Sequence, residues 1–288
     1  MKILATVLLV SSLSSTAFGC GEFGGGFLPE NDMNIPVGSK TAGGLDEAQF
    51  NAVIDMLEPI YAPIVANRGG KLKINRKWED GTVNANATQF FGTWTVNMYG
   101  GLARHEKITK DGFALVLCHE LGHHLGGAPK VAGFMMKWAS NEGQADYFAT
   151  LKCLRTAWWN DNNENIASKL NAPDFLVDAC NKAHGDKAER ALCVRGGMAG
   201  ASVAGLFAAM RNKPEAQFNT PDTNVVTKTD DAHPAHQCRL DTYFQGALCE
   251  KSHNEDVSQK DEVKGTCHRS TGYTVGVRPL CWFKPSVI

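Results

Sequence analysis

Cys118-His119-Glu120-Leu121-Gly122-His123-His124-Leu125-Gly126-Gly127 decides how the rest of the chain is organised. His119 and His123 are four positions apart, so on a helix their side chains lie one above the other, with Cβ atoms about 5–6 Å apart. Two imidazoles so placed can both reach one metal ion at about 2.0–2.1 Å. Glu120 follows the first histidine, and its carboxylate leans toward the same point without having to be a ligand. It is placed to hold an attacking water and take its proton. Asp111 is a suitable N-cap for such a helix, and Gly112-Phe113-Ala114-Leu115-Val116-Leu117 is an apolar lead-in. Gly126-Gly127 supplies the stop and Pro129 prevents resumption. The apolar run predicts burial on most sides, as for the floor of a cleft. The plain alternative is two core histidines beside a surface glutamate.

A catalytic zinc has three protein ligands and a water, so a third ligand has to come from elsewhere in the fold. Asn141-Glu142-Gly143-Gln144-Ala145-Asp146 is the best source. Glu142 lies nineteen residues after His123, enough for a loop and the start of an antiparallel helix. Asp146 is one turn further on and can accept a hydrogen bond from the free ring nitrogen of a ligand histidine, fixing its tautomer. An acidic pair at this spacing is ordinarily a solvated face. Here Ala145, Phe148 and Ala149 surround it, so the carboxylates would be half-buried without a partner. The rival ligands are His124, which points off the His119/His123 face, and His105, which falls in a loop.

His119-Glu120-x-x-His123 followed by Glu142-x-x-Ala145-Asp146 resembles the gluzincin zinc metallopeptidases, most closely the HtpX-type and CAAX prenyl-endopeptidase family. Asn141-Glu142-x-x-x-Asp146 is also similar to the second motif of thermolysin-type enzymes. A third match is Asp231-Ala232-His233-Pro234-Ala235-His236-Gln237-Cys238-Arg239-Leu240, which resembles the family's His-Pro-x-x-x-x-Arg segment. The resemblance spans Gly112 to Leu240. It implies Zn2+ held by His119, His123 and Glu142, with Glu120 as general base and His233 and Arg239 lining the cleft. The chain departs from the family in lacking the membrane helices of HtpX itself and in its many cysteines. An imidazole N–H from His233 opposite the metal can steady a tetrahedral oxyanion. Asp231 is expected to orient it, and Arg239 to hold a substrate carbonyl or a cleft carboxylate. His233-Pro234 is equally a helix start, because proline is favoured in the first turn.

The 288 residues suffice for one large domain or two modest ones, and 43% hydrophobic with 20% charged residues is an ordinary globular balance. A net charge of -1 gives no electrostatic reason to expect a nucleic-acid partner. Residues 1–19 read as a signal peptide: Lys2, an apolar Ile3 to Leu13, then Ala17-Phe18-Gly19 before Cys20. Small residues ending in cysteine also resemble a bacterial lipobox, which would make Cys20 a lipidated membrane tether. Residues 20–44, rich in glycine, read as a flexible tether, and 45–288 as a single domain. Export favours disulfides. Without Cys20, eight cysteines allow four bridges in 105 connectivities. Cys118 points about 100° from His119 on a helix and reads as a disulfide half.

Around the motif, Asp46 to Ile64 has helical spacing, with Pro59 and Pro63 expected to kink or shorten it. Lys71 to Asn75 and Thr93 to Tyr99 read as strands, with Asp80-Gly81 a turn. Trp94 to Tyr99 is either an exposed edge that holds an extended peptide or a core strand. Asn141 to Trp159, Pro173 to Cys180, Ala188 to Met210 (broken near Gly196-Gly197) and Pro234 to Cys249 read as helices. Asn160 to Asn165 reads as a turn, and the last forty residues as irregular. The expected architecture is α+β: a mainly helical zincin-like domain with a small sheet. The expected function is an exported zinc endopeptidase acting on a protein or peptide. The chief rival is a non-catalytic periplasmic binding or assembly factor with the cleft blocked, the loop Lys213 to Asp230 being the expected plug. A structural zinc site is disfavoured because it wants four ligands.

Overall fold

A computed structural model describes residues 26–132 and 137–286. The expected signal peptide and the lipidation of Cys20 lie outside these residues. The architecture is α+β, mainly helical, with one three-stranded sheet.

Helix α1 (Glu47–Asn67) opens with a capping box, in which the Asp46 carboxylate accepts from the Gln49 amide and the Gln49 side chain answers the Asp46 amide. It runs through Pro59 and Pro63 to Asn67 instead of stopping near Ile64. Its apolar face of Phe50, Val53, Ile54, Leu57, Tyr61 and Val65 is buried and carries it past the prolines. Strands β1 (Lys71–Lys77), β2 (Ala85–Phe90) and β3 (Thr93–Tyr99) follow. Their order is β1-β3-β2, with β1 parallel and β2 antiparallel to β3. The edge reading of Trp94 to Tyr99 is therefore overturned: that strand is central, and Trp94, Val96 and Met98 point into the core.

The short α2 (Gly100–Arg104) leads to α3 (Lys110–Leu125), which carries the motif. Its N-cap is Thr109, whose hydroxyl accepts from the Gly112 amide, and not Asp111. Asp111 sits in the first turn and pairs with Arg195 at 2.8 and 3.0 Å. Every residue of α3 from Gly112 to Leu125 is buried.

Helix α4 (Glu142–Phe148) continues through a π-turn (Ala149–Cys153) into α5 (Leu154–Trp158). The expected turn at Asn160–Asn165 instead feeds a short α6 (Asn163–Ala167). After α7 (Asp174–Ala183), α8 (Lys187–Met210) runs unbroken. Its Gly197 is there for contact: a Cβ would meet Leu176 Cδ1 at 2.6 Å. Length and composition alone would let α8 cross a membrane, yet it is a core helix here, mostly buried and packed on α3 and on α9 (His236–Leu248). The C-terminal stretch has little regular structure and is held by disulfides.

Four bridges join Cys118 to Cys153, Cys180 to Cys193, Cys238 to Cys281 and Cys249 to Cys267. They are consistent with an exported protein.

The tether reading fails over residues 26–44. Phe27 and Leu28 are wholly buried, Asn34 bridges Thr82, and the buried Arg104 guanidinium donates to the Ile35 carbonyl at 2.8 Å. Glycine was the misleading signal, because here it serves close packing: a Cβ at Gly44 would lie 2.2 Å from the Ala103 carbonyl oxygen.

Candidate metal centre

Helices α3 and α4 meet at Gly122, where a Cβ would lie 3.0 Å from both Cα and the carbonyl oxygen of Ala145. Glycine lets the two helices close until their polar groups converge. His119 Nε2 is 3.3 Å from Glu142 Oε2, and His123 Nε2 is 3.6 Å from Glu142 Oε1. Ligands held about 2.0–2.1 Å from a tetrahedral zinc stand roughly 3.3–3.4 Å apart, so the spacing fits one ion. The Asn141 side chain caps α4 by accepting from the Gln144 amide, which sets Glu142 on the first turn facing α3.

The other ring nitrogens are occupied. His119 Nδ1 lies 2.7 Å from Asp146 Oδ1, and His123 Nδ1 lies 2.8 Å from the Ser140 carbonyl. With those nitrogens donating, both Nε2 lone pairs turn toward Glu142. Among the described residues neither His119 Nε2 nor Glu142 Oε2 has a hydrogen-bond partner, though both are buried. Such atoms ordinarily cost about 1–3 kcal/mol each, and a cation between them would satisfy both. Glu120 Oε1 is a third buried, unpartnered atom of the site.

The charges are strongly displaced. Burial opposes a charge on His119, but Asp146 and Glu142 outweigh it and hold the imidazole up at about 9. Burial pushes the Glu120 carboxyl up to about 8. Burial likewise pushes His123 down to about 4. For Glu142 burial is outweighed by His233, His123 and His119, which keep it well below the usual carboxylate range.

Three residues of α9 and the segment before it complete the site. Arg239, wholly buried, donates to Asp146 Oδ1 at 2.6 Å and to the Phe27 carbonyl at 3.2 Å. It thus holds both a cleft carboxylate and a backbone carbonyl. Tyr243 also donates to Asp146 Oδ1, at 2.8 Å. Sequence reasoning missed it, although it follows Arg239 by one helical turn. His233 Nε2 is 3.5 Å from Glu142 Oε2 and 2.9 Å from the Gly26 carbonyl oxygen.

The expected role of Asp231 is overturned. Its carboxylate accepts from the Ala132 amide at 2.8 Å and the Asn141 side chain at 3.3 Å, not from His233. It fastens the α3–α4 loop. His124 is not a ligand: its ring is stacked with Trp94 and Trp138, and Nε2 faces the Thr95 carbonyl. His105 caps α2 and is absent from the convergent group. Lys213 to Asp230 is not the plug, since it pairs with the C-terminal segment through Val226 to Leu280 and Asp230 to Trp282. What covers the site is Gly26-Phe27-Leu28, the Phe27 ring standing edge-on to His119 with centroids 4.8 Å apart. A second convergence of Asp222, Cys238 and Cys281 offers no thiolate, because the two sulfurs are bonded to each other.

Comparisons with protein-family models, with curated proteins and with solved structures found no match to this chain.

Proposed function

We propose that the chain is an exported zinc-dependent endopeptidase of the gluzincin type, with a zincin-like arrangement of α3 and α4, hydrolysing peptide bonds of protein or peptide substrates. The carrying observation is the convergence of His119 Nε2 and His123 Nε2 on the Glu142 carboxylate, at 3.3 and 3.6 Å, in a buried site where both histidines are fixed through Nδ1. A zinc ion held by His119, His123 and Glu142 would polarise the scissile carbonyl and acidify the attacking water.

The chain's own groups do the rest. Glu120 follows His119 on α3 and is placed to take a proton from the attacking water and return it to the leaving nitrogen, once a bound cation offsets the burial that pushes its carboxyl up to about 8 in the metal-free chain. His233 Nε2–H is aimed at a backbone carbonyl oxygen, the atom that becomes an oxyanion during hydrolysis. Asp146 holds the His119 ring, and Arg239 holds Asp146. The disulfides favour export; we place the protein in a bacterial periplasm or on an outer membrane through Cys20.

Elemental mass spectrometry on the purified protein should give one zinc per chain, reduced in Glu142→Ala. Glu120→Gln should keep the zinc and lose turnover on the order of 10²–10⁴-fold. The burial of the site under Gly26–Leu28 favours a second reading, a zinc-bearing binding or assembly factor without catalysis. On that reading Glu120→Gln changes nothing, and unchanged behaviour of the variant would retire the peptidase.

A further inference from the structure

Residues 26–28 lie on the site as an extended peptide would. All five backbone polar groups from the Gly26 carbonyl to the Leu28 carbonyl have a partner. The Gly26 oxygen accepts from His233 Nε2 at 2.9 Å. The Phe27 amide donates to the Ala85 carbonyl, at the start of edge strand β2, at 2.7 Å. The Phe27 oxygen accepts from Arg239 at 3.2 Å. The Asn84 side chain takes both ends of Leu28, accepting from its amide at 2.9 Å and donating to its carbonyl at 3.2 Å. These contacts read backbone, as β-strand addition does.

The side chains fix the register. The Phe27 ring fills the space between His119, Phe207 and the Arg239 guanidinium. Gly26 approaches the sheet edge so closely that a Cβ would lie 2.1 Å from the Ala85 oxygen. The Gly26–Phe27 bond is thus flanked by His233 on its carbonyl side and His119 on its Phe27 side. The nitrogen that holds the Gly26 oxygen is 3.5 Å from Glu142.

Resting on the peptidase reading, we infer that the Gly26–Phe27 bond is a substrate of the chain's own site. Hydrolysis there frees residues 27–288 from everything N-terminal to Phe27. Water adds its oxygen to the Gly26 carbonyl carbon and the Gly26–Phe27 C–N bond breaks. One water proton travels through Glu120 to the Phe27 nitrogen, and the proton of the new acid follows it, leaving a Gly26 carboxylate and a Phe27 ammonium. The same contacts define the substrates in trans: extended segments with glycine before the cut and a large aromatic residue after it.

The test uses the full chain, purified metal-free and then given zinc, with intact mass and N-terminal sequencing as readouts. The expected product begins at Phe27 and forms at a rate independent of protein concentration. Glu120→Gln should abolish it, and Gly26→Ala, which cannot seat against Ala85, should slow it at least tenfold. A second readout needs no metal. By hydrogen exchange in the metal-free Glu120→Gln chain, the Phe27 and Leu28 amides should be protected, and in Gly26→Ala exposed. Fast exchange in both overturns the pose. An intact Gly26–Phe27 bond in zinc-loaded protein that hydrolyses an added Gly-Phe-Leu peptide overturns the inference and leaves the peptidase standing. Hydrolysis of neither removes both.

Discussion

Asp146 Oδ1 accepts from three donors at once: His119 Nδ1, Arg239 and Tyr243. The carboxylate and the guanidinium are both fully buried, so the pair is worth most when broken. Asp146→Asn leaves Arg239 charged and uncompensated, and urea unfolding should show a loss of about 3–5 kcal/mol. Tyr243→Phe removes one hydrogen bond to a charged group and should cost about 1.5–3 kcal/mol. If Asp146→Asn proved the milder of the two, Arg239 would have some other counter-charge. Protons follow from the same geometry. In the metal-free protein at pH 7, His119 (about 9) and Glu120 (about 8) hold protons and His123 (about 4) does not. Zinc needs the His119 lone pair, so binding must expel that proton, and the cation favours expelling the one on Glu120. Acid therefore competes with zinc: apparent affinity should fall as pH drops below about 8, by about tenfold or more per unit. Calorimetry in buffers of different ionisation enthalpy should count between one and two protons released at pH 7. In Glu120→Gln it should count about one; no release in either protein would mean His119 is neutral before zinc arrives.

At the scale of elements, the site is the contact between α3 and α4, and two devices hold it. Cys118, one residue before the first histidine, is bridged to Cys153 in the π-turn that prolongs α4. A bridge spanning 35 residues restricts the unfolded chain by about 3–4 kcal/mol, so Cys118→Ala/Cys153→Ala should lose that much in denaturant. Gly122 is the other device. Valine there would push against the Ala145 backbone, costing about 1–3 kcal/mol by overpacking. It would also spread His119 and His123 from Glu142. Zinc affinity measured by competition with a chelator should drop at least tenfold in Gly122→Val, while retained affinity would show that the helices need not close here. The helices that build the site were legible: α1 buries a periodic face from Phe50 to Tyr61, α3 carries an uninterrupted apolar run, and α4 sets Ala145 and Phe148 beside Glu142. What misled were glycines and prolines, which sequence reads as punctuation. On α8 and at Gly44 they are contact surfaces, and on α1 the buried face outweighs two prolines. The central place of β3 was not legible, because alternation in Thr93 to Tyr99 fits an edge and a centre alike until its neighbours are placed.

Across the whole molecule, the site draws on parts distant in sequence: the candidate ligands from α3 and α4, Ser140 from the loop, Arg239 and Tyr243 from α9, and Phe27 from the N-terminal segment. His119 with His123, and Glu142 with Asp146, were visible in sequence because helical spacing brings each pair to one face, and Glu120 because it directly follows the first histidine. Ser140 and Ala85 act through backbone carbonyls, which any residue carries, so no side-chain signal could mark them. Phe27 was hidden in a glycine-rich run that composition reads as a linker. This dispersal sets how the molecule should melt. An ion held by His119, His123 and Glu142 would lock α3 to α4, and those helices are tied in turn to α9 and the segment at Phe27. Zinc should therefore stabilise one cooperative unit and not a local patch. At a free concentration of about 100 times Kd the gain is about 2.7 kcal/mol, which for a domain of this size moves Tm up by roughly 5–10 °C. Calorimetry of the metal-free and zinc-loaded protein should show a single transition shifted by that amount, and Glu142→Ala should show no shift. A zinc-dependent peak that separated from a zinc-independent one would mean the α3–α4 pair unfolds on its own. The segment at Phe27 would then be a removable cover, and the burial of the site would say little about what holds the rest of the chain together.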